Sequence, residues 1–256
     1  MSTADKVWKI RRRLDDYLCR VDSRRATNLR AGLDEIGKKF SEVAVVGGMI
    51  RDVALAGTGH FRSDVDLVIV APSRDVRRFA TERDARPNRF GGFSTMLGSV
   101  KFDFWALEDT WASAQGLVNV NRLADVTRTT FFVLDAAVYD LKSKQLHLHP
   151  NYLNHLMSRT LDLNLRDNPS QKGNLVRAVR RVLREDLNVG PDLRLFLEWE
   201  LTSESFSFIN RKELELYGNS WSGHYRNHDK LLRALFDASY RKRARQGEFQ
   251  FADKKI

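Results

Sequence analysis

Asp64 and Asp66 stand two residues apart where an apolar run, Val65–Val70, begins. Period-two alternation in an extended strand turns both carboxylates to one face. Two close carboxylates repel and resist joint ionisation unless a cation lies between them. Hard divalent ions such as Mg²⁺ take oxygen ligands and also bind substrate phosphates. Asp103 is a third acid, set among Phe102, Phe104 and Trp105. If its strand neighbours that of Asp66, it joins the same site. Gly47-Gly48 supplies the other ingredient, backbone that a ligand can approach closely, followed by helix N–H groups suited to a phosphate. A phosphate cradle beside a two- or three-carboxylate metal site is what in-line phosphoryl transfer requires. Singly, each feature has a plainer reading, a tight turn or a solvated strand end; their order and context join them.

The elements that would position these residues follow from the apolar spacing. Val7, Ile10, Leu14, Leu18 and Val21 recur at helical intervals, and a second helix is predicted over Arg25–Phe40. Val43–Val46 reads as a strand entering Gly47-Gly48, with a helix-compatible stretch to Leu55 behind it. Gly57 and Gly59 punctuate a loop before the strand Val65–Val70, and a helix is expected over Asp75–Thr81. Phe90-Gly-Gly-Phe93 marks a turn. In Val100–Leu107, Phe102, Phe104 and Ala106 alternate against Lys101, Asp103 and Trp105. Phe131–Tyr139 and Gln145–His149 complete the strand-like material, and beyond Pro150 the pattern is helical. The expected division is therefore an α/β head over residues 1–150, with two leading helices, and an all-helical domain over residues 151–256.

Composition narrows the partners. The chain has 256 residues, 42% of them hydrophobic, enough for a real core. Its 43 Lys and Arg outnumber 33 Asp and Glu, a net charge of +10 that favours an anionic partner. Cys19 is the single cysteine, which excludes an intrachain disulfide and a Cys-cluster zinc site. The longest apolar runs fall far short of the ~20 residues of a membrane span. No apolar segment follows the N-terminal charges as a secretory signal would require. A cytoplasmic protein that engages no membrane is expected.

Val45-Val-Gly-Gly-Met-Ile-Arg-Asp52, followed by Ser63-Asp-Val-Asp-Leu67, resembles the head domain of the tRNA nucleotidyltransferase and bacterial poly(A) polymerase family. That family carries Gly-Gly-x-x-Arg-Asp and then Asp-x-Asp opening a strand. The resemblance implies an α+β fold, a nucleotidyltransferase-type mixed sheet flanked by helices and followed by a helical neck. It implies that Gly47, Gly48 and Arg51 hold an incoming nucleoside triphosphate and that Asp64 and Asp66 hold two Mg²⁺ ions, with Asp103 as the third carboxylate. Asp52 is read as structural. Thr129–Ala136 lies where the family has Arg-Arg-Asp-Phe-Thr-Ile-Asn-Ala. Phe132 and Ala136 match and Asp135 replaces the Asn, while Thr129, Thr130 and Phe131 displace residues that hold sugar and phosphates; Arg128 is the nearby cation able to compensate. Leu175-Val-Arg-Ala-Val-Arg180 resembles the start of the family's neck, which places Arg177 and Arg180 toward the nucleotide. The Asp and Arg that select cytosine and adenine are missing; their places fall within Ser170–Asn174, which leaves Asn174 or Gln171 to read a base. Residues Val43–Arg184 carry the resemblance, and the length suits a head and neck without the family's tail.

The remaining charge suggests an RNA track. At about 100° per residue, Arg177, Arg180, Arg181 and Arg184 share one helix face opposite Leu175, Val176, Val179, Val182 and Leu183. Arg241-Lys242-Arg243-Ala-Arg245 and Arg11–Arg13 are further basic runs. The expected activity is Mg²⁺-dependent transfer of a nucleoside monophosphate from an NTP to an RNA 3′ end, that of tRNA foremost, with a specialised or toxin-like tRNA modification among the options. Two alternatives stand beside it: transfer to a small molecule, nucleotide or protein, and a non-catalytic RNA-binding relative.

Overall fold

Val43-Ala-Val-Val46 is buried on both faces and three of its four residues are β-branched, so it forms a central strand that must find neighbours on either side. In a computed structural model, which describes residues 3–57, 61 and 64–244, it does. Gly59, Ser63 and Arg245 lie outside the described residues. The chain divides into two compact units, one running to Met157 and including Asn164–Pro169, the other made of Ser158–Leu163 and the chain from Ser170 onward.

The first unit runs α1 (Val7–Cys19), α2 (Arg24–Gly37), β1 (Val43–Val46), α3 (Gly48–Ala56), β2 (Val65–Ile69), α4 (Ser73–Glu82), β3 (Arg86–Pro87), β4 (Phe93–Leu97), β5 (Val100–Ala106), α5 (Trp111–Ala114), β6 (Ala137–Asp140), β7 (Leu146–Leu148) and α6 (Tyr152–Met157). Among the described residues, β1–β7 form one mixed sheet in the order β3-β4-β5-β2-β1-β6-β7. β2 and β5 run parallel and the other pairings are antiparallel. The fold class is thus α+β, a mixed sheet flanked by helices.

Alternation gives this sheet two different faces. Val65, Leu67, Ile69, Phe102, Phe104 and Ala106 are fully buried on one. There α2 lies so close that a side chain on Gly32 would run into the Phe102 ring, and Phe79 of α4 packs edge-on against Phe104 at 5.7 Å. The other face carries a second core, in which Ala44, Val46, Val68 and Val138 meet Leu107, Val120, Leu123 and Val126, with Trp105 packed against them. Asp66 and Asp103 belong to this second face.

Two local expectations differ from the structure. Phe131–Tyr139 is not one strand: Val133–Asp135 forms a 3-10 turn, and β6 begins only at Ala137. The turn closes through Asp135 N–H to Phe132 O and Ala136 N–H to Val133 O, both 3.0 Å. Phe131–Leu134 are all buried, so no alternation marks a strand face. The turn at Phe90–Phe93 also leads directly into β4, a strand that the spacing does not announce.

The second unit comprises β8 (Thr160–Leu161), α7 (Gln171–Glu185), β9 (Asn188–Val189), α8 (Pro191–Glu200), α9 (Ser203–Tyr217) and α10 (His228–Phe236). It is helical, but not wholly so: β8 and β9 pair in parallel. Its helix starts carry local signals, Pro191 in the first turn of α8, Thr202 capping α9 and Asn227 capping α10. Among the described residues no helix is long and apolar enough to cross a membrane.

Candidate active site

β1 and β2 are antiparallel with Val46 opposite Asp66, so Gly47 emerges at the sheet end where β2 begins. Gly47 has φ +72° and ψ −116°, a conformation costly for any residue with a Cβ. The turn lets α3 start at once, with Arg51 N–H closing back on Gly47 O at 3.1 Å. Arg13 of α1 serves the other end of α3, donating to Ala54 O at 2.9 Å among carbonyls that the helix leaves unpaired.

The parallel pairing of β2 with β5 sets Asp66 directly beside Asp103. Asp64, one residue before β2, falls on the same face by alternation. The three acids therefore share one sheet face beside the Gly47-Gly48 turn. Lys101, also on that face, joins two of them: its Nζ donates to Asp64 Oδ2 at 2.7 Å and to Asp103 Oδ2 at 3.1 Å. Burial pulls the Lys101 pKa down, and the hydrogen bonds to Asp64 and Asp103 more than reverse this, leaving it above the ordinary lysine value. Ser94 of β4 sits opposite Asp103 and donates its hydroxyl to Asp103 Oδ1. Neither Lys101 nor Ser94 was singled out by the sequence; the alternation in Val100–Leu107 was the available signal for Lys101.

An all-oxygen donor set on one face fits a hard divalent ion in ligand type. A cation already lies between Asp64 and Asp103, the Lys101 ammonium. Among the described residues no three His, Cys, Asp or Glu side chains converge closely enough to hold a metal ion. The acids share a face in this arrangement rather than a coordination sphere.

Arg51 turns toward neighbouring acids. Its guanidinium pairs with Asp52 Oδ1 at 2.8 Å and with Asp135 Oδ1, and all three side chains are largely buried. The Gly-Gly turn and the 3-10 turn of Val133–Asp135 are thereby locked together, and Gly47 N–H bonds Ala137 O at 3.0 Å beside them. Arg128 is tied to its own turn by Asn119 O at 2.8 Å and Asp125 Oδ1 at 3.1 Å. Asn164 also fixes this segment, its amide donating to Thr127 O and Thr130 O.

The arginines of α7 do not form one open stripe. Arg177 and Arg184 are exposed, and Arg177 donates to Asn174 Oδ1, Asn174 being buried. Arg180 is inside the unit: it reaches Glu213 Oε1 and Asn219 O at 3.2 Å and Asn219 Oδ1 at 2.9 Å, and stacks over the Tyr217 ring at 4.0 Å. Arg181 is buried and pairs with Glu185. Arg241 is 1% exposed; its guanidinium bonds Asp186 Oδ1 and the carbonyls of Leu187, Ala234 and Leu235. Arg180, Arg181 and Arg241 are thus corrections to the expected surface track: groups remote in sequence enclose Arg180 and Arg241, and Arg181 is buried beside Glu185 of its own helix. Lys242 and Arg243 are exposed.

A mixed sheet with a Gly-Gly turn facing paired acids, followed by a helical unit, defines the nucleotidyltransferase type of fold. Solved structures of similar shape include CCA-adding enzymes and a tRNA-processing enzyme. A CCA-adding enzyme with CTP superposes with a TM-score of 0.54 at 19% identity, covering 89% of this chain and 54% of that one. The Thermotoga maritima CCA-adding enzyme complexed with tRNA gives 0.54 at 18% identity, covering 88% and 53%. A tRNA-processing enzyme with CTP gives 0.51 at 16% identity, covering 81% and 56%. The chain spans little more than half the length of these structures. No family model matches it, and no curated protein does.

Proposed function

We propose that this chain is a Mg²⁺-dependent nucleotidyltransferase that moves a nucleoside monophosphate from an NTP to an RNA 3′ end, that of tRNA foremost, in the cytoplasm. The carrying observation is the meeting of Asp64, Asp66 and Asp103 on one sheet face beside the Gly47-Gly48 turn. The structural neighbours include complexes with CTP and with tRNA, which supports this choice of substrate and acceptor.

In this reading Asp64 and Asp66 hold two Mg²⁺ ions with Asp103 beside them, and the ions supply charge neutralisation on the triphosphate. Asp103 accepts the hydrogen bond of the attacking hydroxyl and orients it. The N–H groups at the start of α3 receive phosphate oxygens, and Arg51, braced by Asp52 and Asp135, keeps that turn in place. Arg177 and Arg184, with Lys242 and Arg243, offer exposed positive charge for an RNA backbone. Thr129, Thr130 and Phe131, and the loss of the base-reading pair at Ser170–Asn174, favour a specialised or toxin-like modification of tRNA over stepwise addition of C, C and A.

The test is incubation with each labelled NTP, Mg²⁺ and total RNA beside an Asp64→Ala/Asp66→Ala variant. Label is expected on RNA with the wild type only. Absence of label on any RNA overturns the activity, and label that persists in the double variant overturns the site.

A further inference from the structure

Three acids on adjacent sheet positions would repel one another strongly if nothing opposed them. In this protein the opposing charge is covalently attached. Lys101 lies two residues before Asp103 in β5, and its ammonium bridges Asp64 and Asp103. With Ser94 on the other oxygen of Asp103, both Asp103 oxygens already accept a hydrogen bond. A divalent ion drawing on Asp64 and Asp103 therefore competes with the Lys101 ammonium for the same two carboxylates. Lys101 is able to yield them, because its side chain is 40% exposed on a flexible four-carbon stem with solvent beside it.

We propose that Lys101 is a built-in counterion of the carboxylate site: it keeps the acids together without metal and is displaced from Asp64 and Asp103 when a divalent ion binds. This inference rests on the reading of these acids as the metal site. It implies a metal affinity lower than the three carboxylates would have alone, so that occupancy depends on a second anionic ligand, the triphosphate, arriving with the ion.

The test is Mn²⁺ titration of the full chain without nucleotide, following free Mn²⁺ by electron paramagnetic resonance. Lys101→Met is expected to bind Mn²⁺ about threefold to tenfold more tightly than wild type, the gain from removing a partly exposed competing charge. Lys101→Arg should stay near wild type. Lys142→Met, which removes an equal charge in an exposed turn, should not change affinity. Equal or weaker binding by Lys101→Met overturns the inference while leaving the metal site standing. No Mn²⁺ binding by wild type or any variant, also when the titration is repeated with a nucleoside triphosphate analogue whose own Mn²⁺ affinity is subtracted, overturns the metal site and the inference with it. Should Lys101→Met fail to fold, the wild type decides by acetylation footprinting: Mg²⁺ should raise the labelling rate of Lys101 at least threefold, and an unchanged rate overturns the displacement.

Discussion

Replacing Glu213 by Leu should destabilise the second unit more than any change to a surface arginine. Glu213 is fully buried in α9, and its carboxylate accepts from Arg180 Nη1 at 3.2 Å, Ser220 Oγ at 3.0 Å, Ser222 N–H at 2.9 Å and Ser222 Oγ at 2.6 Å. Removing one partner of a buried ion pair costs about 3–5 kcal/mol, because the other charge stays buried without compensation. Here Asn219 and the Tyr217 ring still serve Arg180, which points to the lower end of that range. The orphaned Ser222 N–H pushes the other way, at about 1–3 kcal/mol for an unsatisfied buried group. The expected loss for Glu213→Leu is therefore about 3–4 kcal/mol. Arg180→Met should cost less, about 2–3 kcal/mol, since three donors remain on Glu213. The double variant should cost less than the sum of the two by more than about 1 kcal/mol, the signature of direct coupling. Urea unfolding followed by circular dichroism and tryptophan fluorescence measures all three. A Glu213→Leu loss below about 1 kcal/mol, or strict additivity, would refute the buried pair. An Arg180→Met variant of unchanged stability and weakened NTP binding would return Arg180 to the nucleotide.

Four further outcomes follow from other parts of the structure. Gly47→Ala should lower stability by about 1–3 kcal/mol through backbone strain alone, since the nearest atom to an added Cβ is Asp135 O at 3.6 Å; an unchanged melting temperature contradicts this. Burial raises the Asp140 pKa, but hydrogen bonds from the Ser143 hydroxyl and from Lys142 and Ser143 N–H outweigh it and hold it below the ordinary value. Its stabilisation is then present above the unfolded carboxylate pKa and lost as pH falls through the folded one, so Asp140→Asn should flatten the decline in stability below about pH 4. Arg241→Gln should destabilise strongly by orphaning Asp186 and three carbonyls. Lys242→Gln/Arg243→Gln should leave the melting temperature unchanged and reduce the salt dependence of RNA binding; an identical salt slope would remove these residues from the RNA surface.

Much of the head was legible because its signals are local. Gly47-Gly48 requires only the freedom of one backbone position, and the two faces of β5 follow from strict alternation between Phe102, Phe104, Ala106 and Lys101, Asp103, Trp105. The Asp64–Asp66 spacing defines a shared face whatever the partner strand. Phe131–Leu134 misled for the same reason: four consecutive buried residues carry no period, and a hydrogen-bonded turn is indistinguishable from a strand when every side chain points into protein.

What the tertiary structure alone decided was which charges meet. Placing Asp66 beside Asp103, and Lys101 between Asp64 and Asp103, depends on the parallel register of β2 with β5, strands separated by the whole of α4 and the β3–β4 hairpin. The helical wheel of α7 sets its arginines at neighbouring angles but contains nothing about Glu213 on α9, which encloses Arg180. Likewise Arg241 reads as part of a basic run, yet Asp186 and the carbonyls of Leu187, Ala234 and Leu235 place it in the interior. Periodicity is a property of neighbours along the chain, whereas the fate of a charge is set by whatever the fold brings within a few ångströms of it. The positive surplus of this protein is accordingly divided by its fold into arginines that hold the second unit together and those left on the surface.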